Sequence, residues 1–182
     1  MKHCALVVAL SLATLPVGCG PSSSLPPEEQ VKILKADVAA TIETCKSKFP
    51  STAKDFSSAH GYAVYPAIGK GGLIVGGFSG KGLVYERGKL VARSDAGGGT
   101  IGAQIGGQSF SEVIFFENEA AFARFKRGET AFQAGGSATA GSASASAAND
   151  YKDGVKVMTF DGGGLMLEGV IGGQTFSFEP VN

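Results

Sequence analysis

Glycine is the residue that most constrains how this chain can fold. The sequence has 28 glycines in 182 residues, and from Gly61 onward they separate short runs of β-branched, aromatic and other apolar side chains. Runs of this kind are typical of β-strands. Because turns alone do not need so many glycines, several must lie inside strands, where they permit bends, bulges and close backbone approach. The pattern predicts an α+β fold with a curved, glycine-rich, barrel-like antiparallel sheet.

A first helix is predicted over residues 28–48, because apolar side chains recur there at helical spacings of three and four. These side chains are Val31, Leu34, Val38, Ile42 and Cys45. Pro26 and Pro27 suit the first helical turn, and Pro50 stops the helix. Packing on the domain is favoured over lying on a membrane, because the polar face carries charges of both signs.

Shorter elements follow. A second helix is expected over residues 52–59, and a third, capped by Asn118 and ended by Gly128, is expected to cover the sheet together with the first. Arg87 and Gly88 are flanked by strand-like runs and predict a hairpin. Residues 134–149 are small and of low complexity, which fits either a flexible loop or a tightly packed strand.

One short motif occurs twice. IGGQSFS at residues 105–111 returns as IGGQTFS at residues 171–177. Two copies are too few for a solenoid, so each is expected to mark a glycine kink within one sheet.

The N-terminus carries a segment that does not belong to the fold. Cys4 to Leu15 form an apolar stretch behind Lys2, too short to span a bilayer and typical of a signal peptide. Gly18 and Cys19 close it, which resembles the lipobox of bacterial lipoproteins, although Pro16 stands where that pattern has an aliphatic residue. An ordinary secretory peptide cleaved nearby is the alternative. The predicted division is 1–18 signal peptide, 19–27 lipidated cysteine and flexible tether, and 28–182 single domain.

The charge and cysteine content exclude several classes. The 16 basic and 16 acidic side chains balance, which argues against a nucleic-acid partner. With Cys4 removed and Cys19 lipidated, Cys45 has no disulfide partner, and no metal site or cofactor is expected. GGGTIG at residues 97–102 lacks the strand–helix context of a dinucleotide site. His60 is the single histidine after the signal segment, and a capping or surface role is favoured over catalysis there.

Two basic groups are candidate contacts for lipid head groups. They are Lys46, Lys48 and Lys54 near the end of the first helix, and Arg124, Lys126 and Arg127 at the end of the third. Each cation near an anionic membrane surface contributes about 1 kcal/mol. The alternative, which the sequence alone favours, is that they complement helix carboxyl ends and stay solvated.

The order of the glycine-rich segments over residues 49–178 resembles the SYLF domain. The stretches that resemble the family are AHGYAVYPAIGKGGLIVGGFSGKGLVYERG, TIGAQIGGQSFSEVIFFENEAAFARF, GSATAGSASASA and VKVMTFDGGGLMLEGVIGG. SYLF domains occur in lipid- and actin-associated proteins and in bacterial envelope proteins. The family's Trp-Ser element is missing, since ARSDAGGGT stands in its place and the chain has no tryptophan. The family's phosphoinositide binding is not carried over, because residues 28–48 do not match its basic, apolar helix.

The resemblance and the predicted anchor together imply a non-enzymatic lipoprotein of the bacterial envelope, in the outer membrane and facing the periplasm, that binds lipid or an envelope partner. Gly20 and Pro21 after the cysteine fit outer-membrane sorting. One alternative is a structural or assembly protein that pairs with another envelope protein. The other is a serine hydrolase that uses His60.

Overall fold

The computed structural model describes residues 26–72, 75–101, 108–129, 151–161, 164–165 and 174–181. Within these ranges the chain forms three helices and one eight-stranded sheet, which confirms the predicted α+β class. The helices are α1 (Pro27–Lys48), α2 (Thr52–Ser58) and α3 (Glu119–Lys126). The strands are β1 (Gly61–Gly72), β2 (Val75–Glu86), β3 (Lys89–Ile101), β4 (Gln108–Phe116), β5 (Val155–Asp161), β6 (Gly164–Leu165), β7 (Gln174–Phe176) and β8 (Glu179–Pro180).

The sheet is antiparallel and strongly curled. Its strand order is β6-β5-β4-β1-β2-β3-β7, and β8 pairs with β3. Strands β4 and β7 are separated by three others, yet the Gln174 side-chain amide donates to a carboxylate oxygen of Glu112 across 2.9 Å. A flat sheet could not bring these strands together, because neighbouring strands lie about 4.8 Å apart. The predicted curvature is therefore confirmed as a half-barrel.

The strands are longer than the short apolar runs between glycines suggested, because many of the glycines lie within strands. The runs merge into β1 and β2 of 12 residues each and β3 of 13, and Gly97, Gly98 and Gly99 lie inside β3. Gly82 shows why a side chain is missing, because a Cβ there would lie 2.6 Å from the backbone oxygen of Val64. Absence of a Cβ lets paired strands continue at this close approach.

Strand β1 bends in its middle. Its pairing register shifts between Val64 and Ala67 on the β2 side and between Tyr65 and Ile68 on the β4 side. Pro66 lies at this bulge, where its missing N–H costs no ladder hydrogen bond. The bulge bends the strand and exposes the Pro66 carbonyl to β4.

The two faces of the half-barrel are covered by different helices. Helices α1 and α2 pack on one face, hereafter the α1 face, and α3 packs on the opposite one, the α3 face. The α1-face core contains Val38, Cys45, Tyr62, Val64, Leu83, Val113, Phe115, Met158 and Phe160. The α3-face core includes Tyr65, Ile68, Phe78, Ile114, Phe116, Phe122, Phe125 and Phe176. Period-two alternation along each strand supplies side chains to both faces.

Local signals in the sequence placed the turn and the helix ends correctly. Arg87 and Gly88 have φ of 50° and 77°, the left-handed pair that a two-residue hairpin needs. The Asn118 side chain accepts a hydrogen bond of 3.0 Å from the Ala121 N–H and caps α3. Gly128, with φ of 68°, ends that helix. Residues 134–149 and the paired glycines of the repeat lie outside the described residues.

Candidate functional site

A groove of about 200 Å³ opens where the end of α1 crosses the bulge of β1. Its polar lining comes from Thr44, Lys48, Ser109, Ser111 and Asp161. Its apolar lining comes from Pro66, Phe110 and Phe160. The groove is smaller than the roughly 300 Å³ at which sites for drug-sized ligands begin, and five of its eight lining residues are polar, so its size and lining suit only a small polar group.

The bulge fixes one wall of the groove. Ser111 donates its hydroxyl to the exposed carbonyl of Pro66 across 2.7 Å. On the opposite wall, Thr44 donates its hydroxyl to the Ala40 carbonyl, one turn earlier in α1, across 2.9 Å. Each hydroxyl has a single hydrogen to donate, so both oxygens keep only acceptor capacity toward a ligand.

Lys48 supplies the positive charge of the groove. Its ammonium donates to the backbone carbonyl of Asp161, 2.8 Å away at the end of β5. This contact holds the last turn of α1 against the sheet and keeps the ammonium at the groove. Lys48 is one of the six cations that the sequence marked as head-group contacts.

The other two cations of the first group lie nearby on the same face. Lys46 pairs with Glu43 across 3.0 Å and lies 5.5 Å from the ring centre of Phe56. Lys54 is exposed on α2. An exposed pair such as Lys46–Glu43 contributes little to stability, so the Lys46 ammonium can exchange Glu43 for a ligand at little cost. The ammonium groups of Lys46 and Lys54 are therefore both accessible at the surface.

The second basic group lies on the α3 face, away from the first. Arg124 donates to the Asp153 carbonyl across 2.6 Å, and Arg127 forms a two-point pair with Glu129 at 2.7 and 2.8 Å. Lys126 pairs with Glu86 across 3.3 Å and lies over the ring of Phe122. The six cations thus form two groups on opposite faces, and a flat membrane can meet only one group at a time.

His60 has a structural environment, and it is more buried than a surface or capping role suggested. Its Nε2 lies 3.1 Å from a Glu86 carboxylate oxygen, its side chain is 11% exposed, and its ring packs against Phe122. Burial raises the pKa of Glu86, but hydrogen bonds from His60 and Lys126 outweigh it and lower that pKa overall. Among the described residues, no serine hydroxyl hydrogen-bonds His60.

The α3 face holds a buried carboxyl group that was not predicted from the sequence. Glu112 is 1% exposed, and burial raises its pKa from 4.5 to about 7, against the opposing effect of the hydrogen bond from Gln174. The signal was its spacing, because Glu112 alternates with Phe110, Ile114 and Phe116, which all point into the same core. Near neutral pH this carboxyl group is divided between its protonated and ionised forms.

A buried ion pair on the α1 face was missed as well. The Lys156 ammonium lies 2.7 Å from a carboxylate oxygen of Asp55, and the two side chains are 4% and 12% exposed. Cys45 lies in the same region, where its thiol contacts the Thr52 hydroxyl at 3.7 Å and burial raises its pKa. This thiol is protonated and buried, so it acts as a small apolar side chain.

Comparisons with known proteins give the chain no family. No protein-family model matches the sequence, and no curated protein matches it significantly. The resemblance to the SYLF domain therefore stays a prediction. In the described part of the chain no helix is long and apolar enough to cross a membrane, and Cys19 lies outside that part.

Proposed function

We propose that this chain is a lipid-anchored protein of the bacterial envelope, with a SYLF-like domain that binds phospholipid head groups and catalyses no reaction. The anchor is the lipid expected on Cys19, and the seven residues between it and the start of α1 at Pro27 reach about 23 Å when extended. The observation that carries the proposal is the groove at Lys48, which combines one cation with hydroxyl groups and apolar walls.

The course of α1 supports a membrane-facing surface. The helix has 22 residues and is therefore about 33 Å long, so the groove lies nearly one helix length from the tether. Both can meet the bilayer together when α1 lies along its surface. Ile33, 44% exposed, precedes Thr44 and Lys48 by about three and four full turns, so the three share one side of α1.

The surroundings of His60 favour a non-enzymatic protein over a serine hydrolase that uses this histidine. A serine hydrolase needs a nucleophilic hydroxyl in hydrogen-bond reach of the general base. The described partner of His60 is instead the Glu86 carboxylate, which is also paired with Lys126. The contacts of Glu86 with His60 and Lys126 connect the start of β1 to the end of β2 and to α3, so His60 has a structural role.

Vesicle flotation tests the proposal. The mature chain with Cys19→Ser, which cannot be lipidated, is expected to float with vesicles of phosphatidylethanolamine and phosphatidylglycerol. Lys48→Gln is expected to weaken the association about fivefold, since one cation near the surface contributes about 1 kcal/mol. Lys89→Gln, an exposed lysine beside the distant β2–β3 turn, is the matched control and should change nothing. Failure to float at low ionic strength would exclude lipid binding by the domain.

A further inference from the structure

Two lysines are buried among the described residues, and they differ in what surrounds their charge. Lys156 is 4% exposed, and its ammonium lies 2.7 Å from a carboxylate oxygen of Asp55. Lys70 is 8% exposed, and no other described residue forms an ion pair or a hydrogen bond with its ammonium. Buried charges in proteins are normally paired, because an isolated ammonium loses its hydration without compensation. The burial of Lys70 therefore requires a partner that the described contacts do not supply.

The register of β1 places the Lys70 side chain on the α3 face. Lys70 lies directly opposite Phe78 of β2, and the side chains of opposite residues point to the same side of a sheet. Phe78 belongs to the α3-face core, and so does Ile68, two residues before Lys70. Gly69, between them, is exposed on the other side. Lys70 therefore continues the row of inward side chains toward the end of β1.

The buried acid of the α3 face is not the partner of Lys70. Glu112 is opposite Tyr65, whereas Lys70 is opposite Gln108, four residues earlier in β4. Four residues of a strand span about 13 Å. Glu112 accepts a hydrogen bond from Gln174 instead, and this contact crosses the inside of the half-barrel. The α3 face is therefore the inner face, and Lys70 lies near one end of it.

We propose that this inner face binds an aliphatic carboxylate, with the carboxylate group at Lys70. The groove at Lys48 lies on the α1 face, so this site is separate from it and goes beyond the proposed head-group binding. A carboxylate carries one negative charge, which one ammonium neutralises. The three N–H donors of the ammonium can serve both carboxylate oxygens. Such hydrogen bonds are charge-assisted and roughly twice as strong as neutral ones.

The side chains beside Lys70 favour a carboxylate that is attached to hydrocarbon. Ile68 and Phe78 offer no hydrogen-bond donor, so a phosphate monoester would bury its further oxygens and its second charge without partners. A carboxylate has only two oxygens, and the single ammonium satisfies both. Hydrocarbon next to these apolar side chains leaves water favourably and loses no hydrogen bond. A medium-chain fatty acid is therefore the expected class of ligand.

Carbon-13 NMR tests the assignment with decanoate labelled at its carboxyl carbon. Decanoate is added below its micelle concentration to the mature Cys19→Ser chain, and a saturable shift of the carboxyl signal is expected. Decanol should compete about tenfold less well, because its hydroxyl group leaves the ammonium charge unpaired. Acetate should also compete about tenfold less well, because it lacks the hydrocarbon. Equal competition by decanol, or tighter binding of decyl phosphate than of decanoate, would overturn the proposal.

Lys70→Met tests the role of the ammonium, because methionine keeps an unbranched apolar side chain and removes the charge. The variant is expected to bind decanoate about tenfold more weakly. Without ligand its unfolding temperature should be unchanged or higher, since a buried unpaired charge is removed. Lys81→Met, at an exposed position of β2, is the matched control and should change neither property. If Lys70→Met lowers the unfolding temperature as far as Lys156→Met does, the ammonium has a partner within the chain and the proposal is refuted.

Lys48→Gln separates this site from the groove. It should bind decanoate as the unmodified chain does, because Lys48 is on the opposite face of the sheet. Equal losses of decanoate affinity in Lys48→Gln and Lys70→Met would overturn the assignment to the inner face. Saturable decanoate binding without flotation on vesicles keeps this inference and refutes the proposed membrane binding. Flotation without saturable decanoate binding keeps the proposed function and refutes this inference.

Discussion

Lys156→Met is expected to lower the free energy of unfolding by about 3–5 kcal/mol. The substitution leaves the Asp55 carboxylate buried without its ammonium partner, which now lies 2.7 Å away. The remaining described donor to Asp55 is the Tyr151 hydroxyl at 3.4 Å, which is too distant to compensate. Urea denaturation followed by circular dichroism measures the loss.

Two further variants separate the buried pair from charge in general. The double variant Asp55→Leu with Lys156→Met removes both charges and should recover most of the lost stability, because an apolar replacement avoids the cost of desolvation. Arg93→Met breaks the exposed pair with Glu179, at 3.4 Å, and should cost less than about 1 kcal/mol. If Lys156→Met costs no more than Arg93→Met, the pair does not stabilise the fold as described.

Glu112 is expected to make the stability of the fold fall as the pH rises. Its folded-state pKa is about 7 and its ordinary value 4.5, so the folded chain holds this proton more tightly than the unfolded chain. The contribution is fully present below about pH 4.5 and is lost as the pH rises through 7. Between pH 5 and pH 8.5 this one group should remove about 2–3 kcal/mol from the free energy of unfolding.

Glu112→Gln isolates that effect from every other titrating group. The variant keeps an oxygen that can accept from Gln174 and cannot ionise, so its loss of stability between pH 5 and pH 8.5 should be smaller by the same amount. Glu117→Gln, at an exposed position just after β4, should follow the unmodified chain. Parallel curves for the Glu112→Gln variant and the unmodified chain would show that the carboxyl group is ionised normally in the fold.

Much of the architecture was predictable because local signals governed it. The spacing of Val38 and Cys45 placed the buried side of α1, and the Asn118 cap and Gly128 bounded α3. Arg87–Gly88 specified its hairpin because few residue pairs accept two successive left-handed conformations. The glycine content predicted a curled sheet, although it did not show that whole glycine runs continue as strands.

The buried polar groups were harder to find, because both faces of the sheet are covered. Along β4 and β5, the residues that point to each face of the sheet include apolar side chains. The sequence therefore did not identify either face of these strands as solvent-exposed. Glu112 and Lys156 each lie at the same alternating positions as buried apolar residues of their strand. This spacing indicates that they are buried, but it does not identify the residues they pair with. Gln174 and Asp55 are 62 and 101 positions away from them in sequence, and only the curled tertiary structure brings these pairs together.

The candidate site was predictable only in part. Lys48 was one of six cations chosen for their position near helix ends, and the sequence could not show that the six divide between two faces. The groove also depends on the register shift at Pro66, which places Ser111 against its carbonyl. A bulge depends on the pairing of three strands, so the sequence near Pro66 does not specify it.

The central proposal is that lipid on Cys19 holds this domain at a membrane. Intact-mass and peptide mass spectrometry of the mature protein, purified with detergent from envelopes of the native cells, tests it most directly. We expect a chain that begins at Cys19 and carries the added mass of a diacylglyceryl group on its thiol. A mature chain that begins with an unmodified residue and is recovered from the soluble periplasmic fraction would contradict it.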